Sequence, residues 1–324
     1  MKVRFWGVQG STPNPLSGAQ FHAKLKTILA HAHQRNLQTE AEIEAFLAEL
    51  PYVLTHTTGG NTTCFEILSS RGTRVIVDLG TGARKLGWEL LHSEAGKGQA
   101  KLAVLLTHCH WDHIMGFPFF MPLYVAGNEI KIYGGHAYLR EALERQMHPQ
   151  SFPVQFEEVE ARVTFEQVFE DEVLMLDDLT VRCKRLQHPG GSYAYRISEG
   201  DKSLVIATDA EYKALDEASL RPYIEFYRDA ELLVFDAQYT LKDLFQKIDW
   251  GHSSSIIGVD ICLLANVARL VLTHHDPAYS DAMMTETLDK TEAFIQAMMQ
   301  QEQKQYRRPK LDVVMGYEGL EIEI

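Results

Sequence analysis

The 324-residue sequence predicts a mixed α/β (α+β) fold in which two β-sheets are covered by helices. Three observations lead there. Short apolar runs of strand length recur along the whole chain, and several stop at Gly, Asp or His. Segments with apolar residues at helical spacing lie between them. No low-complexity linker, fixed-period repeat or composition break interrupts the series, so residues 1–324 read as one domain with a helical insertion at about 18–50.

In chain order, Lys2-Val3-Arg4-Phe5-Trp6-Gly7-Val8 alternates and stops at Gly10-Ser11-Thr12-Pro13, a strand and a turn. Phe21, Leu25, Ile28 and Leu29, then Ile43, Phe46 and Leu47, mark the two inserted helices. The first apolar stripe has to pack on something: the core, the mouth of the site or another subunit. Strands at 64–68 and 74–78 flank Ser69-Ser70-Arg71-Gly72, and the turn Leu79-Gly80-Thr81-Gly82 opens a helix through Leu86, Leu90 and Leu91. The apolar strand 102–106 follows. Further strands are expected near 130–133, 181–185, 193–197, 204–207, 232–235 and 269–273, with helices at 137–146, 256–266 and 281–301. Two strands, 310–314 and 319–324, close the chain.

Hydrophobic residues at 45% and charged residues at 23% are the balance of an ordinary globular protein. A formal net charge of −13 repels nucleic acid and anionic membrane unless a local patch reverses the sign. No apolar run suits a signal peptide or reaches the ~20 residues of a membrane span. Cys64, Cys109, Cys183 and Cys262 lie far apart without a CxxC pair, which indicates neither a disulfide framework nor a thiolate zinc site. A soluble, cytoplasmic protein with reduced thiols is expected.

The chemistry concentrates in Thr107-His108-Cys109-His110-Trp111-Asp112-His113, directly after strand 102–106. Imidazoles and a carboxylate converging at a strand end suit divalent zinc, iron or manganese. Cys109 and Trp111, at the intervening positions, read as packing residues that point away. Asp209 ends the apolar run 204–207, where a carboxylate is costly to bury unless paired or liganded. His188, also after a strand, reads equally well as a ligand or as a hydrogen-bonded histidine. His274 and His275 follow strand 269–273, and alternation aims them to opposite faces.

HxHxDH followed by Ile114-Met115-Gly116 resembles the metallo-β-lactamase superfamily of metal-dependent hydrolases. Gly59-Gly60-Asn61-Thr62-Thr63-Cys64 and Val77-Asp78-Leu79-Gly80-Thr81-Gly82 resemble its phosphodiesterase branch. So do His188-Pro189-Gly190-Gly191-Ser192-Tyr193, Ala207-Thr208-Asp209, Gly251-His252-Ser253 and Leu272-Thr273-His274-His275. That branch contains phosphoribosyl 1,2-cyclic phosphate phosphodiesterase and tRNA 3′-processing endonuclease. The resemblance implies an αββα sandwich with a two-metal site at one edge of the sheets. His108, His110 and His188 would hold one ion, Asp112, His113 and His274 the other, and Asp209 would bridge both. It favours His274 over His275, which with Asp276 would then stand behind the site or on the surface.

His252 resembles a non-ligand histidine that acts near the scissile phosphate as proton donor or transition-state stabiliser. The same segment also reads as a plain helix start, with Ser253 or Ser254 as N-cap. His252, Asp112 and Asp209 form the expected catalytic set. Asp78 would orient a ligand histidine or be a solvated turn residue. Gly190-Gly191-Ser192 would offer N–H groups to a phosphate oxygen or simply turn the chain. Asp236 would support His252, and Asn61 would stand near the substrate.

The implied reaction is hydrolysis of a phosphodiester by hydroxide held between two divalent ions, zinc or manganese with iron open, about 3.5–4 Å apart. His252 would protonate the leaving alkoxide. The expected substrate is a small cyclic phosphate, either a ribose cyclic phosphate or a cyclic nucleotide. Alternatives are a thiolester, lactone or β-lactam hydrolase of the same fold, or a metal-binding sensor without turnover. Residues 151–180 hold nine acidic residues and one Arg, which argues against long RNA or DNA as partner. A membrane partner is not expected, and a homodimer is left open.

Overall fold

The computed structural model describes residues 1–170, 172–244, 246–300, 308 and 310–324. Its strands are β1 (Lys2–Gly7), β2 (Cys64–Leu68), β3 (Arg74–Val77), β4 (Lys101–Leu106), β5 (Glu129–Gly134), β6 (Arg162–Gln167) and β7 (Val173–Leu176). There follow β8 (Leu179–Leu186), β9 (Ser192–Glu199), β10 (Lys202–Ala207), β11 (Leu232–Asp236), β12 (Arg269–Thr273), β13 (Asp312–Met315) and β14 (Glu321–Glu323). The helices are α1 (Gly18–Ala32), α2 (Glu40–Glu49), α3 (Tyr52–Thr55), α4 (Gly82–Leu90) and α5 (Trp111–Ile114). After them come α6 (Leu139–Gln146), α7 (Glu217–Tyr227), α8 (Leu241–Leu244), α9 (Ser255–Ala265) and α10 (Asp281–Met299).

Among the described residues the strands form two seven-stranded sheets, ordered β14-β1-β2-β3-β4-β5-β6 and β13-β12-β11-β10-β9-β8-β7. The central strands are buried on both faces, which is why they read as unbroken apolar runs. In β10, Leu204 and Ile206 point between the sheets while Val205 and Ala207 point to the outer helices. In β3, Val75 and Val77 point inward and Ile76 outward. α4 and α6 cover one sheet through Leu86, Leu90, Leu139 and Leu143. α7, α9 and α10 cover the other through Ile224, Ile261 and Ile295. This is the αββα sandwich. No described helix is long and apolar enough to cross a membrane.

The parallel pairing decides where functional side chains emerge. β3, β4, β5 and β6 run parallel, and so do β10, β11, β12 and β13. Register pairs Val77 with Leu105, Ala207 with Phe235 and Asp236 with Thr273. The carboxyl ends of each parallel set therefore finish at one level, where α/β proteins place ligands.

Periodicity does not foresee β6, β7 or α7. β6 and β7 are the outermost strands of their sheets, and their exposed acidic neighbours, which blunt a sheet edge, hide the alternation. Pro222 lies inside α7 and reads as a breaker in sequence. Two sequence expectations touch Asp171 and Gln301, which lie outside the described residues.

The insertion forms α1 and α2, each opened by a capping box, Ser17 with Gln20 and Thr39 with Glu42. The stripe on α1 does not enter the core as an apolar stripe ordinarily would. No residue of α1 is buried, and Phe21 and Leu29 remain 54% and 68% exposed. The helix is instead tied down by a polar hook: Lys24 Nζ donates to the His56 carbonyl and to the Asp281 carboxylate at the start of α10.

Candidate metal centre

Three strand ends carry a side chain at a residue with left-handed backbone. Asp78 leaves β3 at φ 61°, Asp209 follows β10 at φ 58°, and His274 leaves β12 at φ 60°. Such positions cost a non-glycine residue of order 1–3 kcal/mol, and strain of this kind collects at functional sites. β4 supplies the rest: the chain passes Thr107 and winds into the single turn α5, so His108, His110, Asp112 and His113 follow one another around one point.

The side chains gather into three overlapping sets. His108, His110 and His188 form one, Asp112, His113, Asp209 and His274 another, and His188, Asp209 and His252 a third; within each, one ligand atom per residue lies within 4.8 Å of the rest. Asp209 stands between them. Its Oδ2 is 3.1 Å from His113 Nε2, and its Oδ1 is 3.2 Å from His274 Nε2 and 3.9 Å from both His108 Nε2 and His188 Nε2. Asp112 Oδ2 lies 3.4 Å from His113 Nε2 and 3.6 Å from His274 Nε2. His188 Nε2 is 3.0 Å from His110 Nδ1. His274 thus joins the cluster, while His275 points its Nε2 at the Gly316 carbonyl, 2.9 Å away.

Burial pulls His108, His110, His188 and His274 below the ordinary imidazole range. That leaves them neutral, the form that binds metals. His113 goes the other way: burial opposes its charge, but Asp209, Asp112 and Asp78 raise it well above its usual value. Burial pushes Asp209 and Asp112 up, and is outweighed by His113 and His274, which hold both carboxyls low. His108 Nε2, His113 Nε2 and Asp209 Oδ2 are buried and find no well-aligned hydrogen-bond partner among the described residues. Ionised carboxylates and neutral imidazoles are the donor set of a divalent transition-metal site, and His113 joins it by giving up the proton that its three carboxylate neighbours hold on the ring. The residues present fit such an ion.

A surrounding layer orients these groups. Asp78 accepts from the Thr107 N–H at 2.8 Å, the Thr107 hydroxyl at 2.8 Å and His113 Nδ1 at 2.7 Å. Burial raises its carboxyl pKa, opposed by those donors. It is fully buried, not a solvated turn residue. Asp236 Oδ2 lies 2.8 Å from His252 Nδ1 and also accepts from the Ala210 N–H. Burial lowers the His252 pKa, but Asp236, Asp209 and Asp112 more than reverse this. Ser254 does occupy the N-cap of α9, one of the two positions expected, but it makes no side-chain cap, and the buried Ser253 hydroxyl has no partner among the described residues.

Sequence reasoning missed Ser11, whose N–H donates to Asp112 Oδ2 at 2.8 Å, and Gln238, whose Nε2 donates to the Ser11 hydroxyl. Nothing in the local sequence signals either contact, since Ser11 and Asp112 are 101 positions apart. Other expected residues serve elsewhere. Asn61 gives its backbone and side-chain N–H groups to Glu318 and does not reach the cleft. Ser192 donates to the Thr208 carbonyl beside Asp209, and the Gly191 N–H is taken by the His188 carbonyl.

The cluster opens into a cleft of about 440 Å³ lined by Ser11, Cys109, His110, Trp111, Asp112, Asp209, His252 and His274. No residue of 18–50 lines it, so the insertion does not cover this mouth. Trp111 corrects the packing expectation: it is 75% exposed at the cleft, because the turn of α5 that buries Asp112 and His113 turns the indole out. Cys109 does pack, against the core beneath the helices, and burial pushes its thiol up to about 12. Beyond His188 runs a groove of about 840 Å³ with Lys184, Arg185 and Lys213 on its walls.

A family model described as a beta-lactamase superfamily domain matches residues 73–275. Ribonuclease Z of Prochlorococcus marinus (strain MIT 9515) is 28% identical over 255 residues, 63% of this chain and 79% of that protein. Among solved structures, the metallo-beta-lactamase fold protein YhfI from Bacillus subtilis is similar over 99% of this chain and 98% of its own, with a TM-score of 0.63 and 17% identity. The short form of human tRNase Z is similar over 100% of this chain and 99% of its own, with a TM-score of 0.58 and 17% identity. Relatives that bear these names overturn the expectation, drawn from charge, that long RNA is not a partner. Charge misleads here for a physical reason visible in the fold: among the described acidic residues of 151–180, Glu166 lies in the outermost strand β6 and Glu172, Asp177 and Asp178 flank β7, and none lines the cleft.

Proposed function

The chain belongs to the β-lactamase superfamily, and from that premise we propose that it acts in the phosphodiesterase branch, as a metal-dependent hydrolase of phosphodiesters. The observation that carries the reading is the His252–Asp236 pair, at 2.8 Å, standing beside Asp209 but turned to its own carboxylate. An alkoxide leaving group needs a proton, and an imidazole held by a carboxylate is suited to give one. A thiolate departs without protonation, so a thiolester substrate would leave this pair without a task.

In its finer form the reading has two ions. His108, His110 and His188 would hold one, Asp112, His113 and His274 the other, and Asp209, the carboxylate within reach of both groups, would serve the two. Such ions, when bound, supply Lewis acidity toward phosphoryl oxygens and water of lowered pKa. The chain's own residues do the rest. Asp78 and Thr107 hold His113 with its Nδ1–H donated and its Nε2 lone pair turned to the centre. The Gly251 carbonyl accepts from His188 Nδ1 and does the same for that ring. Ser11 fixes the angle of Asp112 through its N–H. Asp236 keeps His252 protonated and aimed, so that the proton passes to the departing oxygen. A small cyclic phosphodiester is the proposed substrate, and RNA belongs in the same test because ribonuclease Z is among the relatives.

The test is a screen of metal-reconstituted protein on 2′,3′-cyclic and 3′,5′-cyclic nucleotides, a ribose cyclic phosphate and a 3′-extended RNA. Thiolester, lactone and β-lactam controls run beside them. Metal-dependent turnover of a diester supports the reading. Turnover confined to the controls overturns it, and RNA cleavage without cyclic-phosphate cleavage overturns the finer form alone.

A further inference from the structure

Trp111 is the most exposed large apolar side chain among the described residues, at 75%. An indole offers more apolar surface for burial than any other side chain, and single exposed apolar residues need no explanation. The position of this one does. It sits between His110 and Asp112 in the turn of α5 and forms a wall of the cleft that holds Asp209 and His252. Among the described residues its ring meets no aromatic or cationic partner, and its indole N–H meets no acceptor. Two other tryptophans are occupied. Trp6 donates to Glu66 Oε2 at 3.0 Å and lies under Arg4, and Trp250 lies under Lys247.

We propose that Trp111 is a stacking platform for a flat heterocyclic base attached to the substrate. It would make this site prefer phosphodiesters that carry a nucleobase over those with only a sugar or alkyl group. The proposal rests on the phosphodiester reading for the reacting group, and on the indole's own placement for the base. The cleft volume, about 440 Å³, falls in the range of small-ligand sites. The indole lines the same cleft as Asp112, Asp209, His252 and His274, so a group bonded to a phosphate at the centre can extend along it. Stacking on an aromatic side chain tolerates any base, because every base has a π-face.

Base–aromatic stacking removed by alanine substitution corresponds to a loss of about 5- to 150-fold. The experiment compares metal-loaded wild type, Trp111→Ala and Trp111→Phe on adenosine 2′,3′-cyclic phosphate and on the 2,3-cyclic phosphate of 1-O-methylribose, which lacks the base. Expected is a loss for Trp111→Ala, carried by KM, at least fivefold greater on the nucleotide than on the base-free diester, with Trp111→Phe recovering most of it. A second readout needs no turnover. Adenosine 5′-monophosphate should quench wild-type tryptophan fluorescence, and the quench should vanish in Trp111→Phe although the other three tryptophans remain. Equal losses on the two diesters, or a quench that persists in Trp111→Phe, would overturn the platform while leaving the hydrolase reading intact. Trp111-dependent quenching without turnover of any diester would uphold the platform and sink the reaction.

Discussion

Asp78→Asn separates orientation of the centre from its composition. Asn tolerates the left-handed backbone at this position (φ 61°) and keeps the side-chain shape, so the change acts through hydrogen bonds and through loss of the charge that helps raise the His113 pKa. The native carboxylate accepts three bonds: Thr107 N–H on Oδ1, and the Thr107 hydroxyl and His113 Nδ1 on Oδ2. An amide accepts only through its oxygen. With the NH₂ on the Oδ2 side, His113 Nδ1 has to become an acceptor, which moves the ring proton to Nε2, the atom facing Asp112 and Asp209. With the NH₂ on the Oδ1 side, it opposes the buried Thr107 N–H, donor against donor, at about 1–3 kcal/mol. Either way the cost lands on His113 or on the strand end beneath it. Loss of such an orienting partner lowers metal affinity about 10–100-fold, or about 1.4–2.7 kcal/mol. Chelator competition reads the affinity, and urea unfolding of metal-free protein reads the stability. Affinity within about threefold of wild type, with unchanged stability, would refute the orienting role of Asp78.

Asp209→Ala should lower the metal bound per chain, read by elemental analysis, since Asp209 is the carboxylate within reach of both histidine sets; full occupancy would remove it from the centre. His252→Ala should keep the metal but lose about 10²–10⁴-fold on a diester with an alkoxide leaving group. The loss should be markedly smaller on a p-nitrophenyl diester, and equal losses would reject proton donation. Asp281→Asn should destabilise by about 1–2 kcal/mol at pH 7, because Asp281 takes charge-assisted bonds from Lys24 and from the Thr58 N–H and hydroxyl. Burial pushes the Asp281 carboxyl up, but these donors hold it below its ordinary value. Its contribution is therefore complete above the unfolded pKa of about 3.9 and fades as pH falls through the lower folded value. Urea unfolding should show the gap between wild type and Asp281→Asn constant from pH 7 to 5 and closing below about 4; a gap unchanged in acid would show that another interaction sets it.

How much was legible follows from how far apart the contributing residues lie. His108, His110, Asp112 and His113 share one loop, so their convergence can be read from a few consecutive letters after an apolar strand. Asp209 was legible for another reason, as a carboxylate where burial makes an unpaired one expensive. Alternation correctly sends His274 and His275 apart, but which of them faces the carboxylates depends on the positive φ at His274. Backbone hand at a single residue has no periodic signature. The contacts of Ser11 with Asp112 and of Gln238 with Ser11 join three distant segments and leave no local trace. Trp111 shows the limit of position-based reasoning. A residue between two inward-facing neighbours points away from them in a strand, but in the turn of α5 it reaches the rim of the same cleft.

The failure of net charge as a guide to partners has the same origin. Charge acts at the Debye length, about 8 Å in physiological salt, so the −13 of the whole chain is not what a ligand in the cleft meets. It meets Asp112 and Asp209 at the centre with Asp78 behind them, carboxylates that the neighbouring His113 and His252 offset only in part. A phosphodiester, small or part of an RNA, enters such a place only with cations among those carboxylates. Divalent ions invert the sign locally, whatever the remote surface carries. In the proposed site, affinity for phosphate is therefore set by metal occupancy, and the acidic border along β6 and β7 changes the approach of a long chain more than the binding of its reacting group.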